Sequence, residues 1–167
     1  DPAGYDPRIL KGMGLAYATS DRGACHLRST FYKAELAGMI PPDQMEGKAK
    51  LFLEFEDRFN IHDSLILCRF YRDIYWDWTH LSAIVELTTG LKLDEKGLRK
   101  ISSNIQNETR RFNLREGITA KDDTLPKRFF DEPLGKDEKT IRREDLQKML
   151  QDYYALRGWS SEGIPGL

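Results

Sequence analysis

The stretch LFLEFEDRFNIHDSLILC, residues 51–68, decides the fold of this chain. Its first half repeats large apolar side chains every three or four residues, at Leu51, Phe52, Phe55 and Phe59, which places them on one face of a helix. No part of the 167-residue sequence shows the sustained alternation of apolar and polar residues that is typical of strands. The sequence therefore predicts an all-α fold, arranged as a single all-helical domain over residues 1–167.

Capping residues predict where the helices begin and end. Asp6, followed by Pro7 at a first helical position, begins a helix that runs to about Ser20. The central helix, which contains residues 51–59, follows Pro41-Pro42-Asp43. Three more helices are predicted, and their boundary residues are Asp77 and Gly90, Asp94 and Glu116, and Glu144 and Arg157. Gly158 is the stop signal of the last helix, whose apolar face is predicted at Leu146, Met149, Leu150 and Tyr153.

The longest of these helices, from Asp94 to Glu116, has two contrasting sides. One side is predicted to be buried, at Leu98, Ile101, Ile105 and Phe112. The other is basic and is predicted to face solvent or an interface, at Arg99, Lys100, Arg110, Arg111 and Arg115. The connection that follows, residues 117–140, is longer than the roughly 2 to 8 residues usual between helices, and such long loops often carry function.

Composition limits the class of protein. The 26 Lys and Arg residues are balanced by 27 Asp and Glu residues, so the chain has no basic field for nucleic acid or an anionic membrane. No apolar run reaches the roughly 18 residues of a membrane span. Two cysteines do not form a disulfide framework, and the polar first residues are unlike a signal peptide. We therefore expect a cytoplasmic protein with no nucleic-acid or membrane partner.

The end of the central stretch combines a carboxylate, Asp63, with a thiol, Cys68, five positions later. If the segment is helical, this spacing turns the two side chains in different directions. One short element could then present a hydrogen-bond acceptor and a soft metal ligand to neighbouring groups. A free cysteine is also among the most buried residue types and often packs as a small hydrophobe. The local sequence leaves both interpretations open.

A second polar group, Cys25-His26-Leu27-Arg28, lies just beyond the first predicted helix. His26 could exchange a proton near neutral pH, and Arg28 could pair with a phosphate. A single histidine after a helix is more often a structural residue, and the same applies more strongly to His62 and His80. The sequence contains no phosphate-binding glycine-rich loop, no Cys-x-x-Cys pair and no His-Glu-x-x-His.

Three separated blocks of the sequence resemble the tungsten-containing aldehyde:ferredoxin oxidoreductase family. They are residues 6–26, with Asp6-Pro7-Arg8, Gly12-Met13-Gly14-Leu15-Ala16-Tyr17-Ala18 and Cys25-His26; residues 63–68; and residues 117–129, with Gly117-Ile118-Thr119 and Asp122-Asp123-Thr124-Leu125-Pro126-Lys127-Arg128-Phe129. Residues 153–159 also fit the family's ending. The resemblance covers nearly the whole chain and implies the multihelical C-terminal domain of a longer, multidomain enzyme.

The resemblance also implies roles for individual residues. In the family, an Asp-x-x-Gly-Leu-Cys segment holds a tungsten (or molybdenum) bis-pterin cofactor, and its Cys is the fourth ligand of a [4Fe-4S] cluster. We therefore expect Asp63 to accept hydrogen bonds from a pterin and Cys68 to bind iron as a thiolate. The Leu67 backbone and the Arg28 side chain are expected to contact the same pterin. His26 is expected to act on the substrate carbonyl.

The sequence departs from the family pattern at Ile66, which stands where the family usually has Gly. A side chain at this position could move the backbone relative to the pterin, which affects the expected contact of Asp63.

The implied activity is the oxidation of small aldehydes to carboxylic acids, with electrons passed to ferredoxin. The other three cluster cysteines occur in the family in a Cys-x2-Cys-x3-Cys run that this sequence lacks, so they are expected on the remaining domains of the same enzyme. The isolated chain is then expected to bind no cofactor and to have no turnover. Two alternatives stay open: a subunit that reduces aromatic acyl thioesters, and a helical interaction module that has lost the cofactor.

The resemblance finally predicts two surfaces. A domain of this kind should expose a concave face around Cys25, His26, Asp63 and Cys68 that its partner domains would cover. The loop at residues 124–129 is expected to line the substrate channel or a seam between domains.

Overall fold

The computed structural model describes residues 4–166 of the chain. Within that range the regular elements are helices, and the β-type pairings are two isolated bridges, Leu134 with Lys139 and Trp159 with Pro165. The predicted all-α fold is therefore confirmed. The α-helices are α1 (Lys11–Thr19), α2 (Tyr32–Leu36), α3 (Lys48–Ser64), α4 (Trp78–Thr89), α5 (Glu95–Arg115), α6 (Arg128–Asp131) and α7 (Arg143–Arg157), with a 3-10 turn at Arg69–Tyr71.

Helix α3 is the centre of the fold, since it packs against α1, α4, α5 and α7. The apolar face predicted for it is buried at Phe52, Phe55 and Phe59, whereas Leu51 is only half-buried. These rings meet the apolar faces of α1 and α7 in the larger of two cores. The fully buried partners are Met13, Leu15, Phe31, Ile141, Leu146, Met149 and Tyr153.

A smaller core lies between the C-terminal half of α3 and the helices α4 and α5. It contains Ile61, Trp78, Leu81, Val85 and Leu98, all of them buried. Because α3 contributes to both cores, its path is fixed along its whole length. No helix among residues 4–166 is both long and apolar enough to cross a membrane.

Buried charges join α3 to α7. The Arg157 guanidinium donates to Glu56 at 2.5 Å and to Asp57 at 2.8 Å, and all three side chains are nearly inaccessible to solvent. The hydroxyls of Tyr153 and Ser102 complete the pairing, at 2.8 Å from Glu56 and 2.7 Å from Asp57. Burial lowers the pKa of Arg157, but Tyr153 and the two carboxylates outweigh that effect and hold the group charged. We call these five residues the α3–α7 ionic cluster.

Helix α1 begins later than the sequence predicted. Asp6 does not cap a helix at Pro7, because its carboxylate accepts the Arg8 backbone N–H at 2.9 Å and the Arg8 guanidinium at 2.7 Å. Arg8 also donates to the carbonyl oxygen of Glu132 at 2.8 Å, which ties residues 6–10 to the segment after α6. These contacts hold a turn, and the α-helix starts only at Lys11.

The start of α3 was also predicted too early, and the short helices α2 and α6 were not predicted, whereas the caps predicted for α4 and α5 and the end of α7 are confirmed. Gly47, with φ +75°, precedes the first helical residue, Lys48. The carboxylate of Asp77 accepts the His80 N–H at 2.8 Å, and the carboxylate of Asp94 caps α5 in the same way. Helices α4 and α7 end at the left-handed glycines predicted for them.

Two predictions for α5 are wrong. Phe112, predicted to be buried, is 54% exposed. Arg110, predicted on the basic outer side, is buried and forms two hydrogen bonds with Asp123, at 2.9 and 2.7 Å. The reason is the chain beyond α7, which folds back over this part of α5 and accepts a third hydrogen bond from Arg110 at the Gly163 carbonyl. Periodicity within α5 could not indicate that contact.

Candidate functional site

The segment from Asp63 to Cys68 is a helix end and not a continuous helix. Helix α3 stops at Ser64, and the Leu67 N–H then bonds back to the carbonyl oxygen of His62 at 2.9 Å. This closure requires one residue in the left-handed conformation, and Ile66 adopts that conformation, with φ +57°. Asp63 therefore stands on the last turn of α3, while Cys68 stands on extended backbone just before the 3-10 turn.

Ile66 occupies a conformation that a β-branched residue rarely adopts. Its side chain is 90% exposed, so no packing holds it there. A glycine would adopt the same φ without a steric cost. The departure from the family pattern at this position thus has a local structural consequence, which is backbone strain beside Asp63.

The Asp63 carboxylate is held by two arginines. Arg28 donates to its Oδ2 atom at 2.9 Å, and Arg69 donates to the same atom at 2.6 Å. Both hydrogen bonds to this carboxylate from residues 4–166 therefore use one oxygen, and Oδ1 is left as an acceptor. We call Arg28, Asp63 and Arg69 the Asp63 clamp.

Arg28 is itself fixed from the other side. Its Nε and Nη2 atoms donate to the two carboxylate oxygens of Asp21, at 2.9 and 2.8 Å. Burial lowers the pKa of Arg28, but the hydrogen bonds to Asp21 and Asp63 outweigh this and raise it. With the bond to Asp63, three of its five N–H groups are used, which leaves two for the pterin contact expected from the resemblance.

The two cysteines differ in surroundings, and both are free thiols. Cys68 is exposed, which rules out the interpretation that it packs as a small buried hydrophobe. Cys25 is half-buried, and its sulfur accepts hydrogen bonds from Arg22 at 3.2 and 3.0 Å. Burial alone would raise the pKa of the Cys25 thiol. Hydrogen bonds from Arg22 and from backbone N–H groups outweigh burial, so the pKa lies below its usual value.

His26 lies in an aromatic setting. Its ring meets the edge of Tyr5 at 5.5 Å between centroids, and Tyr5 stacks on Tyr32 of α2 at 3.9 Å. Tyr17 of α1 holds Tyr5 in place, since its hydroxyl bonds both the N–H and the carbonyl oxygen of that residue, at 3.1 and 3.0 Å. A side chain at Gly4 would come within 3.0 Å of the His26 Nδ1 atom. The imidazole is thus positioned by packing against aromatic rings.

The other two histidines have structural surroundings. His62 is fully buried, its Nε2 atom lies 3.0 Å from the Tyr75 carbonyl oxygen, and burial lowers its pKa. His80 is exposed on α4 and pairs with the capping residue Asp77.

Leu67 can offer only part of its backbone to a cofactor. Its N–H is already used by the His62 carbonyl oxygen, so the carbonyl group is what remains for the contact expected from the resemblance. Its half-buried side chain packs against the smaller core, which fixes the position of that carbonyl.

An exposed apolar surface flanks Cys68 along the chain. Ile66 and Phe70 are 90% and 91% exposed, and Tyr71 and Ile74 are also largely exposed. So many large apolar side chains within nine residues are typical of a surface that another protein part covers.

The long connection after α5 borders a cavity of 420 Å³. Thr124, Leu125 and Pro126 face residues 20–24, the segment that leads into Cys25 and His26, across this cavity. Lys127 to Phe129, which were grouped with this loop, lie at the start of α6. The first half of the loop therefore borders residues 20–24, but Cys25, His26, Asp63 and Cys68 do not line this cavity.

The residues present fit part of a cofactor site. Cys68 offers an exposed thiol and Asp63 a carboxylate oxygen, which are a possible cluster ligand and a possible pterin acceptor. Within residues 4–166, no three His, Cys, Asp or Glu side chains group as a metal site would require. Any cluster at Cys68 would need its other ligands from elsewhere in the protein.

The sequence missed two contributors to this site. Asp21 orients Arg28, and Arg69 holds Asp63 from across the helix end. The only signal for Arg69 was its place directly after Cys68, since the left-handed turn at Ile66 is what brings it back to Asp63.

Comparison with known proteins gives one consistent result. The family model described as aldehyde ferredoxin oxidoreductase, domains 2 and 3, matches residues 1–167. The chain is 37% identical over 169 residues to the tungsten-containing aldehyde ferredoxin oxidoreductase of Pyrococcus furiosus, and 35% identical over 173 residues to that of Thermococcus kodakarensis. Each match covers 95% of this chain and 27% of the relative, so the chain spans about a quarter of the length of these relatives.

Proposed function

The chain belongs to the aldehyde ferredoxin oxidoreductase family, and on that premise we propose that it is the cofactor-contacting helical part of an enzyme that oxidises aldehydes to carboxylic acids. The observation that carries this proposal is that the Asp63 clamp, which includes Arg28, lies close in the chain to an exposed Cys68. Electrons would leave through a [4Fe-4S] cluster to ferredoxin.

The bound groups, a tungsten bis-pterin and the cluster, would supply the redox chemistry. The chain's own part is to hold them: Cys68 as one thiolate ligand, the free oxygen of Asp63 as a pterin acceptor, and the Leu67 carbonyl beside it. Arg28 has two N–H groups left for the same cofactor. Asp63, Leu67 and Cys68 lie at or just beyond the end of α3, where Arg28 also reaches Asp63, and this common location supports the assignment.

His26 is the proposed proton-handling residue of this chain. Its ring, packed against Tyr5, is oriented without needing the Asp63 clamp. An imidazole so placed can donate to or accept from the substrate carbonyl or its hydrate. We propose that a small aldehyde approaches through the cavity between residues 20–24 and Thr124, which is not lined by His26 itself but by Tyr17, the residue that holds Tyr5.

The exposed apolar surface that flanks Cys68 is the proposed seam with the rest of the enzyme. Ile66, Phe70, Tyr71 and Ile74 would be covered by the domains that supply the remaining cluster cysteines. The two free thiols suit a reducing compartment, which we propose to be the cytoplasm.

The test is metal analysis of the longest native polypeptide that contains this sequence, purified without oxygen. The wild-type protein should hold tungsten and about four irons, and Cys68→Ser should lose iron. Cys25→Ser is the matched control, because it removes the other free thiol of the chain and should keep the iron. Absence of both metals from the wild-type protein would favour a helical module without cofactor. Equal iron in all three proteins would show that Cys68 is not a ligand of the cluster.

A further inference from the structure

We propose that Arg69 is a positioning residue for the pterin cofactor, acting through Asp63. This inference rests on the proposed function and adds to it a residue that the family resemblance did not assign. Its basis is the geometry of the Asp63 clamp, in which Arg69 makes the shorter of the two contacts, 2.6 Å against 2.9 Å.

The clamp decides which oxygen of Asp63 is available. Because both arginines donate to Oδ2, the carboxylate is fixed against rotation about its last bond, and Oδ1 is the oxygen that can accept from a ligand. A carboxylate held this way loses no further conformational entropy when the ligand arrives. Without the clamp, Asp63 would exchange its oxygens and sample several rotamers on a partly exposed helix end.

Arg69 is the more rigid of the two arginines. Its side chain is 16% exposed, against 33% for Arg28. The guanidinium carbon lies 4.2 Å from the centre of the Phe59 ring, and Phe59 belongs to the main core. Arg72 donates to the backbone oxygen of Arg69 at 2.7 Å. Arg69 therefore fixes Asp63 relative to the core, whereas Arg28 also bonds to Asp21.

Arg69 also has a donor without a partner. Its Nη1 atom is buried and makes no hydrogen bond within residues 4–166, as is also true of Arg72 Nε, Trp78 Nε1 and Arg157 Nε. An acceptor supplied by the rest of the enzyme would satisfy this donor of Arg69, whose other Nη atom already holds Asp63. Because Arg69 directly follows Cys68, one short segment links the proposed iron ligand to the proposed pterin acceptor.

The experiment measures tungsten and pterin per chain in the longest native polypeptide, purified without oxygen and desalted. Arg69→Gln should lower the occupancy of both by about tenfold or more, as loss of an outer residue around a metal site commonly does. Arg143→Gln is the matched control: Arg143 also stacks at 4.2 Å on a phenylalanine, Phe130, and pairs with a carboxylate, but lies outside the clamp. The tungsten and pterin occupancy of Arg143→Gln should equal that of the wild-type protein.

A double-variant cycle separates positioning from general support of the fold. If Arg69 acts through Asp63, then Arg69→Gln combined with Asp63→Asn should hold as much tungsten as Asp63→Asn alone. If the double variant holds less tungsten than Asp63→Asn by the same factor that Arg69→Gln loses alone, the proposal is overturned. Tungsten occupancy of Arg69→Gln equal to that of the wild-type protein would also overturn it. If Arg69→Gln does not fold, Arg69→Lys takes its place under the same criteria.

The outcomes also separate this inference from the proposed function. A loaded wild-type protein with an equally loaded Arg69→Gln variant refutes the role of Arg69 and leaves the proposed function standing. A wild-type protein without tungsten and iron refutes both.

Discussion

Helix α3 carries carboxylate–arginine pairs in its middle and at its C-terminal end, and the two sets have different roles. In its middle, Glu56 and Asp57 meet Arg157 of α7 inside the molecule. At its end, Asp63 meets Arg28 and Arg69 with about a third of its side chain, 32%, open to solvent. The same chemistry thus closes the fold at one level and leaves an acceptor available at the other.

The difference lies in what surrounds each pair. In the α3–α7 ionic cluster, each carboxylate also accepts from a hydroxyl of the chain itself, Glu56 from Tyr153 and Asp57 from Ser102, and both side chains are almost inaccessible to solvent. At the Asp63 clamp, both hydrogen bonds likewise end on one oxygen, but the side chain is partly open to solvent, so a ligand can reach the other oxygen. Buried carboxylates paired by the chain itself are typical of a structural network, whereas a carboxylate that a ligand can reach is typical of a binding site.

The largest effect is expected from Arg157→Met. It leaves two carboxylates buried without their counterion, which should cost about 3–5 kcal/mol of unfolding free energy. Urea unfolding of the variant beside the wild-type protein measures this. Arg143→Met, which removes an exposed pair, is the control and should cost less than about 1 kcal/mol. A small loss in Arg157→Met would mean that the cluster is not structural.

Tyr153→Phe should have the next largest effect. The change removes the hydroxyl that donates to Glu56 at 2.8 Å and leaves a buried acceptor short of a partner, at a cost of about 1–3 kcal/mol. The same unfolding experiment applies. Tyr71→Phe, at an exposed tyrosine, should stay within about 0.5 kcal/mol of the wild-type protein. Equal effects at both positions would contradict the contrast between cluster and surface.

Ile66→Gly should stabilise the protein by about 1 kcal/mol. The gain comes from relief of the left-handed conformation at φ +57°, and the exposed side chain contributes no packing that would be lost. A rise in the melting temperature would show it. Ile74→Gly, at an exposed isoleucine without a positive φ, serves as the control and should give no such gain.

Asp63→Asn should have the smallest effect on stability, below about 1 kcal/mol, because its ion pairs are partly exposed and solvent screens them. If the clamp serves binding, stability changes little while cofactor occupancy falls in the full-length protein. A destabilisation comparable to that of Arg157→Met would mean instead that the clamp holds the fold.

Much of the fold could be predicted from local signals. The apolar faces of α3 and α7, the caps Asp77 and Asp94, and the closing glycine Gly158 were predicted correctly because each depends on residues within one or two turns. The wrong predictions, at Asp6 and Arg110, share a cause. Arg8, which holds the Asp6 carboxylate, donates to the distant Glu132 carbonyl oxygen, and Arg110 donates to that of Gly163. Periodicity contains no information about such contacts.

The site was predictable in its residue types but not in its geometry. Resemblance indicated Asp63 and Cys68, and the structure adds that the first is clamped and the second exposed. Arg69 could not be found from spacing, since six residues on a continuous helix would place it well away from Asp63. The left-handed turn at Ile66 reverses the chain and brings the two together.

By itself, the sequence determined the helical class, the ends of α4, α5 and α7 and the membership of a family, because these depend on local propensities and on blocks of residues that can be read in order. Only the tertiary structure decided which charged pairs are buried and which stay open to solvent. Long-range packing of α7 and of the residues beyond it settles that distinction. The ionic partner of Glu56 is 101 residues away and that of Arg110 is 13 residues away, both inside the molecule, whereas the partners of Asp63 meet it at the surface.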